Sequence, residues 1–227
     1  MPPSFTTLEP RTNPGFPWGG YTASRGLVVA GRVLLGRFFP LTCEGRERVP
    51  NGPLVVAANH FSHLDPVLGA VAVGRPIRYL AVDELFGRSA FFDNLTLWLG
   101  AIPMPRNRAP IGALRVALAE LDAGGTVGLY PEGMRVWTWR EAEPKPGAAW
   151  LARRAGVPLL PVAVAGSEEA LGRGTTRVAR RPIHVTVCDP LHPADWEGTG
   201  DPVGAMTQEW KRRVGEALGR AYGRLPA

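Results

Sequence analysis

Short, continuously apolar runs alternate along the chain with longer stretches in which apolar residues recur roughly every three to four positions. The apolar runs predict strands that are buried on both faces, and the amphipathic stretches predict helices. The predicted strands occupy residues 54–59, 77–82, the second half of 91–104 (ending at Ile102), 126–133, 157–166 and, with the alternating pattern of an edge strand, 181–189. The predicted helices occupy residues 66–73, the first half of 91–104, 111–125, 148–156 and 207–225, the last with Thr207 as N-cap. This alternation predicts an α/β fold, a single-domain sheet with helices on both faces.

The stretch at residues 23–41 differs from the others because arginines interrupt an otherwise apolar sequence. These arginines leave no uninterrupted apolar run of about eighteen residues, so a membrane-spanning helix is not predicted. On a helix, Arg25 and Arg32 share one face, while Leu27, Leu34 and Phe38 group on the opposite one. This pattern fits either an amphipathic helix lying in a membrane interface or a core helix with a solvated arginine face. We expect an N-terminal arm and this helix over residues 1–42, followed by the α/β domain over 43–227.

Composition and charge narrow the classes of partner. The chain has 227 residues, 45% of them hydrophobic, with a net charge of +6 and a pI near 10.0, so an anionic partner is expected. A phosphorylated substrate and an anionic membrane both fit, whereas nucleic acid is disfavoured because no zinc-finger spacing, RNA-binding aromatic signature or basic zipper is present. Cys43 and Cys188 form no CxxC motif and no metal-binding spacing, and the N-terminus has no signal-peptide pattern, so a reducing, cytoplasmic compartment is expected.

The apolar run VVAANHFSHLDP, residues 55–66, ends in groups that can carry chemistry. Asp65 precedes a proline and is predicted to be the N-cap of the next helix, with its carboxylate folded back toward His60. A carboxylate on one imidazole nitrogen raises the basicity of the other, which would make His60 a general base. The alternative is that Asp65 only caps a helix and His60 only fills a turn. No further ligand cluster supports a metal site at His60 and His63.

Two more polar segments follow predicted strands, and sites in open α/β sheets gather at the carboxyl ends of strands. Arg106 follows one strand, and the Glu132–Arg135 turn follows another. Arginine binds phosphate in a bidentate manner, and Gly133 would let backbone N–H groups approach an anion. Glu132 would either hold an arginine or accept a hydrogen bond from a hydroxyl. The alternative is that both arginines are ordinary surface residues.

Taken in order, these motifs resemble the glycerolipid acyltransferase family, in particular bacterial 1-acyl-sn-glycerol-3-phosphate acyltransferases. The motifs are Asn59-His60-x4-Asp65, Gly100-Ala-Ile-Pro-x-x-Arg106, Tyr130-Pro-Glu-Gly-Met-Arg135 and Val157-Pro-Leu-Leu-Pro161. The similarity runs from about Glu44 to Gly166.

The resemblance implies that His60 is the general base on an acceptor hydroxyl, with Asp65 as its orienting partner. The hydroxyl attacks the thioester of acyl-CoA or of an acyl-carrier protein, with no further cofactor, no metal and no acyl-enzyme. Asn59, or a backbone N–H beside it, is expected to stabilise the oxyanion. The resemblance further implies the binding residues: Arg106, Glu132, Gly133 and Arg135 for the acceptor phosphate, and Val157, Pro158 and Pro161 for the acyl pocket.

The resemblance also favours a peripheral location on the cytoplasmic face of the cell membrane, with residues 23–41 as an interfacial helix against anionic lipids. Three positions depart from the family pattern: Tyr130 replaces Phe, Met134 replaces a small hydroxyl residue, and Val82 replaces Lys. They leave open 1-acylglycerol 3-phosphate, a lyso-ornithine lipid, glycerol 3-phosphate or a secondary metabolite as acceptor. A non-catalytic lipid-binding protein is a further alternative, whereas a serine hydrolase is disfavoured because no G-x-S-x-G elbow is present.

Overall fold

The computed structural model describes residues 19–82, 86, 90–105 and 110–224, without the side chains of residues 91 and 92. The strands are β1 Leu41–Glu44, β2 Leu54–Ala58, β3 Arg78–Val82, β4 Ile102–Met104, β5 Thr126–Leu129, β6 Leu159–Ala165 and β7 Ile183–Val187. The helices are α1 Gly20–Phe38, α2 Asp65–Val73, α3 Ala90–Trp98, α4 Ile111–Asp122, α5 Gly147–Ala155, α6 Ser167–Leu171 and α7 Pro202–Tyr222.

All seven strands belong to one sheet in the order β1-β7-β6-β2-β5-β3-β4. Strands β6, β2, β5, β3 and β4 run parallel to one another, whereas β6 and β7 pair antiparallel and β1 runs parallel to β7. The carboxyl ends of β2 to β6 therefore meet at one edge, where open α/β sheets carry their sites. The central strands β2 and β6 are buried throughout, as their continuously apolar sequences predict.

Apolar side chains cover both faces of the sheet, so the predicted two-sided α/β architecture is confirmed. One face packs against α4, α5 and α7, where the indole of Trp210 is buried and donates to the Ala57 carbonyl at 2.9 Å. The other face packs against α2, with Leu68 and Ala72 in its core. A fully buried leucine contributes about 1.5–3 kcal/mol relative to an exposed one, so both layers stabilise the sheet.

Helix α1 lies outside the two main layers and packs on α2 through one narrow face. Ser24 and Val28 are buried on that face, and Gly31 lets α1 approach Val71 closely. The face predicted to be apolar stays exposed, including Leu27, Leu34 and Phe38. The core-helix interpretation of residues 23–41 is therefore wrong. Among the described residues, none of the helices has the length and apolarity needed to cross a bilayer.

Four details of the predicted organisation need correction. Residues 181–189 contain β7, which is buried and flanked on both sides, so the edge strand on that side of the sheet is the short β1, which was not predicted. Strand β1 also crosses the predicted domain boundary between residues 42 and 43. Strand β4 begins at Ile102 instead of ending there. The N-cap of α7 is Asp201, whose side chain accepts from the Gly204 N–H at 2.9 Å, whereas Thr207 lies inside the helix.

Candidate active site

A cavity of about 1020 Å³ opens at the carboxyl edge of the parallel strands. Its polar end is formed by residues that follow three different strands: His60 and His63 after β2, Gly133 and Arg135 after β5, and Arg173, Thr175 and Thr176 after β6. The rest of the lining is mostly apolar and comes from α1, α2, β3, α3 and β4. The described lining residues include no Asp or Glu, so the charged groups that face the cavity are cationic.

His60 and Asp65 are in direct contact, as predicted. The distance from His60 Nδ1 to Asp65 Oδ2 is 2.9 Å, and Asp65 is fully buried whereas the imidazole remains partly exposed. Asp65 is the first residue of α2 and not its N-cap, because its carboxylate accepts from N–H groups that precede the helix. The predicted backward fold of the carboxylate is thus correct, although the capping role is wrong.

Four donors surround the Asp65 carboxylate. Oδ2 accepts from the backbone N–H groups of Phe61 and Ser62, both at 2.7 Å, and from His60 Nδ1. Oδ1 accepts from Ser167 Oγ at 2.7 Å, at the start of α6. These four hydrogen bonds fix the carboxylate in place beside the imidazole.

The environment of Asp65 determines where the imidazole carries its proton. Because Asp65 Oδ2 already accepts from two backbone N–H groups, it acts as an acceptor toward the ring as well, so Nδ1 carries the hydrogen of the neutral imidazole. Nε2 is then the unprotonated nitrogen, and among the described residues no partner for it is seen. His60 lines the cavity, so this arrangement presents a base to whatever the cavity holds.

Two tyrosines hold the plane of the imidazole. The Tyr130 ring stacks on the His60 ring with centroids 3.9 Å apart and planes 14° apart, and Tyr79 continues the stack behind Tyr130 at 5.4 Å. Burial raises the pKa of both phenols, so both stay neutral. Tyr130, the position that departs from the family pattern, therefore packs directly on the proposed base.

The structure assigns Asn59 a different role from the predicted one. Its side chain is fully buried and pairs with the backbone of Val164 on β6. The amide nitrogen donates to the Val164 carbonyl and the amide oxygen accepts from the Val164 N–H, both at 2.8 Å. Asn59 thus continues the β2–β6 pairing beyond the last residue of β2 and does not face the cavity, so the prediction of an oxyanion donor at this side chain is wrong.

Glu132 is buried directly beneath the loop that carries His60. Its Oε1 lies 3.4 Å from the His60 backbone nitrogen, and the backbone N–H of Val136 donates to the His60 carbonyl. Oε2 is buried without a partner among the described residues. Burial raises the pKa of Glu132 to about 7, although N–H groups of its own turn and of His60 oppose this shift. Glu132 thus supports the loop that carries His60.

The other predicted phosphate-binding residues fall into two groups. Gly133 and Arg135 line the cavity together with His60, as the convergence of strand ends predicts. Gly133 has φ near +70°, and its N–H is used within the turn, donating to the Tyr130 carbonyl at 2.9 Å. Arg106 lies outside the described residues.

The predicted acyl-pocket residues are not found at the cavity. Val157 belongs to the core on the α5 and α7 face, and the carbonyls of Pro158 and Pro161 accept from Val55 and Cys188. None of the three is among the residues that line the cavity. The apolar lining consists instead of side chains such as Leu27, Val28, Val67, Leu80, Leu99 and Met104.

Two residues of the site were missed by sequence reasoning. Ser167 follows β6 directly, so the rule that sites gather at strand ends could have found it. Arg173 lies in the loop after α6, beyond every recognised motif, and no sequence signal marks it. Within the described residues, no group of three or more His, Cys, Asp or Glu is placed to hold a metal ion.

Comparison with known proteins was made on both sequence and structure. A family model described as "Acyltransferase" matches residues 40–165 of the chain. The chain is 28% identical over 167 residues to the chloroplastic 1-acyl-sn-glycerol-3-phosphate acyltransferase LPAT1 of Arabidopsis thaliana, covering 68% of this chain and 46% of that protein. It is 32% identical over 126 residues to a probable 1-acyl-sn-glycerol-3-phosphate acyltransferase of Mycoplasma genitalium, covering 52% of this chain and 46% of that protein. The chain thus spans about half the length of these relatives.

A solved structure shows the same fold. The 1-acyl-sn-glycerophosphate (LPA) acyltransferase PlsC from Thermotoga maritima superposes with a TM-score of 0.74 at 21% sequence identity. The match covers 91% of this chain and 81% of that chain.

Proposed function

The chain belongs to the acyltransferase family, and on this premise we propose that it moves a fatty acyl group from a thioester to the hydroxyl of 1-acylglycerol 3-phosphate, giving phosphatidate. One observation carries the proposal above the others. The His60 Nδ1–Asp65 Oδ2 contact of 2.9 Å leaves Nε2 as a base at the polar end of a long apolar cavity.

The chemistry follows from that placement. His60 Nε2 accepts the proton of the acceptor hydroxyl while its oxygen attacks the thioester carbonyl carbon, forming the C–O bond of a tetrahedral oxyanion. Asp65 stabilises the imidazolium that results. The oxyanion collapses, the C–S bond breaks, and the proton held by His60 passes to the leaving thiolate. No protein nucleophile is needed, because the acceptor supplies the attacking oxygen.

The relatives' names and the charge of the cavity support a phosphate-bearing acceptor. The relatives described above are named as acyltransferases of 1-acyl-sn-glycerol 3-phosphate. Arg135 and Arg173 line the cavity, and its described lining includes no carboxylate that would repel a phosphate. A phosphate monoester is therefore favoured over a lyso-ornithine lipid, which carries an amino group in its head.

The apolar part of the cavity supports a long-chain substrate. The cavity has a volume of about 1020 Å³ and is lined largely by aliphatic side chains, so an alkyl chain bound there is removed from water. Each buried methylene contributes about 0.8 kcal/mol to the free energy of binding. We propose acyl-CoA or an acyl-carrier protein as donor. A thioester already has the activated carbonyl that this mechanism needs, so no further cofactor is required.

An acyl-transfer screen tests the proposed activity. Purified protein is incubated with palmitoyl-CoA or palmitoyl-carrier protein and with lysophosphatidate, glycerol 3-phosphate, lyso-ornithine lipid or monoacylglycerol, and the products are identified by mass spectrometry. We expect phosphatidate from lysophosphatidate, with kcat/KM at least about tenfold above that for monoacylglycerol, which lacks the charge-assisted phosphate contacts. Transfer to none of these acceptors would contradict the enzyme proposal and favour a lipid-binding role.

We propose that the protein lies on the cytoplasmic face of a membrane, with α1 as its interfacial helix. Leu27, Leu34 and Phe38 are exposed in one sector of α1, and Arg32 is exposed toward the other side. Ser24, Leu27 and Val28 of the same helix also line the cavity. A bilayer against α1 would therefore adjoin the cavity, giving a lysolipid a short apolar route to His60.

Vesicle flotation tests this location. The double variant Leu34→Glu/Phe38→Glu is expected to reduce binding to vesicles of phosphatidylglycerol and phosphatidylcholine at least about tenfold, because buried apolar side chains of this size contribute about 1.5–3 kcal/mol each. Ile111→Glu/Val116→Glu is the matched control, since both residues are apolar and exposed but lie on α4. Equal flotation of the double variant and the wild-type protein would exclude α1 as the contact.

A further inference from the structure

Arg173 is a cation of the cavity that no recognised motif includes. It follows α6 in the chain, beyond the residues 40–165 that the family model matches. It nevertheless lines the same cavity as His60 and Arg135, next to the hydroxyl side chains of Thr175 and Thr176. The lining of the cavity thus contains two guanidinium groups, which favour an anionic ligand.

Two side chains from a single loop hold Arg173. Its guanidinium carbon lies 5.5 Å from the centre of the Trp137 ring, and its Nη1 lies 3.8 Å from Glu141 Oε1. Glu141 is itself oriented by its own loop, since its other oxygen accepts from the backbone N–H groups of Trp137 and Thr138. The indole face and the carboxylate thus position Arg173 without enclosing it.

The ion pair between Arg173 and Glu141 is loose enough to be exchanged for a substrate. Charge-assisted N–H···O bonds have lengths near 2.7–2.9 Å, roughly 1 Å shorter than the contact seen here. About a third of each side chain is exposed, a setting in which such pairs are weak. A phosphate, with a larger charge and three acceptor oxygens, would compete effectively for the guanidinium.

We propose that Arg173 is a second phosphate-binding residue of the site and that, together with Arg135, it determines the preference for a substrate that carries a phosphate group. This inference rests on the proposed acyltransferase function and refines its substrate recognition. The chemistry recognised is a phosphate group, which either the lysolipid acceptor or the coenzyme A part of the donor can supply. Val82, the position where the family pattern has lysine, lines the same cavity as Arg173.

Steady-state kinetics with each substrate varied separately tests the role. Arg173→Ala is expected to raise KM for the phosphate-bearing substrate about tenfold, with kcat changed less than about threefold. A rise for lysophosphatidate assigns the phosphate to the acceptor; a rise for palmitoyl-CoA that is absent with palmitoyl-pantetheine assigns it to the donor. Arg173→Lys is expected to recover part of the loss because it keeps the charge.

Glu141→Gln is the matched control for a purely structural role, in which Arg173 would only tie its own loop to the loop that carries Trp137 and Glu141. It removes the ion pair but leaves the arginine, so KM for the phosphate-bearing substrate should stay the same or fall. An equal rise of KM in Glu141→Gln and Arg173→Ala would show that Arg173 only holds the loop and would overturn the proposal. An unchanged KM for both substrates in Arg173→Ala would overturn it as well.

A binding measurement separates this inference from the proposed activity. If the wild-type protein transfers no acyl group, equilibrium binding is compared between the wild-type protein and Arg173→Ala for two pairs of ligands: lysophosphatidate against monoacylglycerol, and palmitoyl-CoA against palmitoyl-pantetheine. Selective loss of affinity for lysophosphatidate or for palmitoyl-CoA would support Arg173 as a phosphate-binding residue even though the proposed reaction had failed. Unchanged binding of both lysophosphatidate and palmitoyl-CoA would contradict the inference.

Discussion

Replacing His60 with alanine is expected to lower kcat about a thousandfold, while the free energy of unfolding changes little. General-base catalysis contributes about 10²–10⁴-fold. Of the two histidines that line the described part of the cavity, His60 is the one hydrogen-bonded to Asp65. The imidazole is partly exposed and its removal leaves no large void in the core, so the fold should persist. The measurement is transfer of the palmitoyl group from palmitoyl-CoA to lysophosphatidate at saturating concentrations of both.

His63→Ala is the matched control for this variant. His63 lies three positions further along and lines the same cavity, but Asp65 is bonded to His60. We expect His63→Ala to keep kcat within about fivefold of the wild-type value, since it does not supply the base. A large loss of kcat in His63→Ala, together with full activity in His60→Ala, would show that His63 is the base and would contradict the mechanism.

Asp65→Asn is expected to lower kcat about a hundredfold or more and also to reduce the free energy of unfolding. The neutral amide no longer stabilises an imidazolium at His60, and it cannot accept all the hydrogen bonds that now converge on the two carboxylate oxygens. A buried donor without a partner costs about 1–3 kcal/mol, so denaturant unfolding should shift to lower concentration. The two effects are measured separately, by kinetics and by chemical denaturation.

The double variant His60→Ala/Asp65→Asn distinguishes a catalytic pair from two independent contributions. Residues that act as one unit show strongly non-additive losses, so the double variant should be about as inactive as His60→Ala alone. The free energy of unfolding of the double variant should nonetheless match that of Asp65→Asn, since the loop between β2 and α2 is held by the carboxylate and not by the imidazole. Multiplied losses in kcat would show that Asp65 does not act through His60.

The strands and helices could be predicted from the sequence wherever a single hydrophobic pattern covered the whole element. Strand β2 is apolar at each of its five positions and was predicted because burial on both faces requires that pattern. Strand β1 was missed because its four residues alternate between partly buried and exposed, and they directly follow a long helix. Strand β7 has an alternating sequence but lies inside the sheet, because β1 covers the side that would otherwise be an edge.

The strand-end rule correctly placed Gly133 and Arg135 at the same cavity as His60, but individual side-chain contacts could be predicted only between residues close in the chain. His60 and Asp65 are five residues apart, so a strand-to-helix turn already implies their contact. Ser167 reaches Asp65 across 102 residues, and Arg173 meets Trp137 from a position 36 residues further along the chain, so neither contact has a local signal. Asn59 was misassigned for the same reason, since its true partner is Val164 on another strand.

The stacked rings of His60, Tyr130 and Tyr79 limit which residues can occupy positions remote from the reaction. Tyr79 fills the space left by two glycines: a methyl group on Gly69 of α2 would collide with the Tyr79 hydroxyl, and one on Gly128 of β5 would collide with its ring. An alanine at either glycine would therefore displace Tyr79 and disturb the stacked rings that hold the imidazole, although neither glycine touches the reacting atoms. We therefore expect Gly69 and Gly128 to tolerate substitution as poorly as His60 does, because Tyr79 transmits the displacement through Tyr130 to the imidazole.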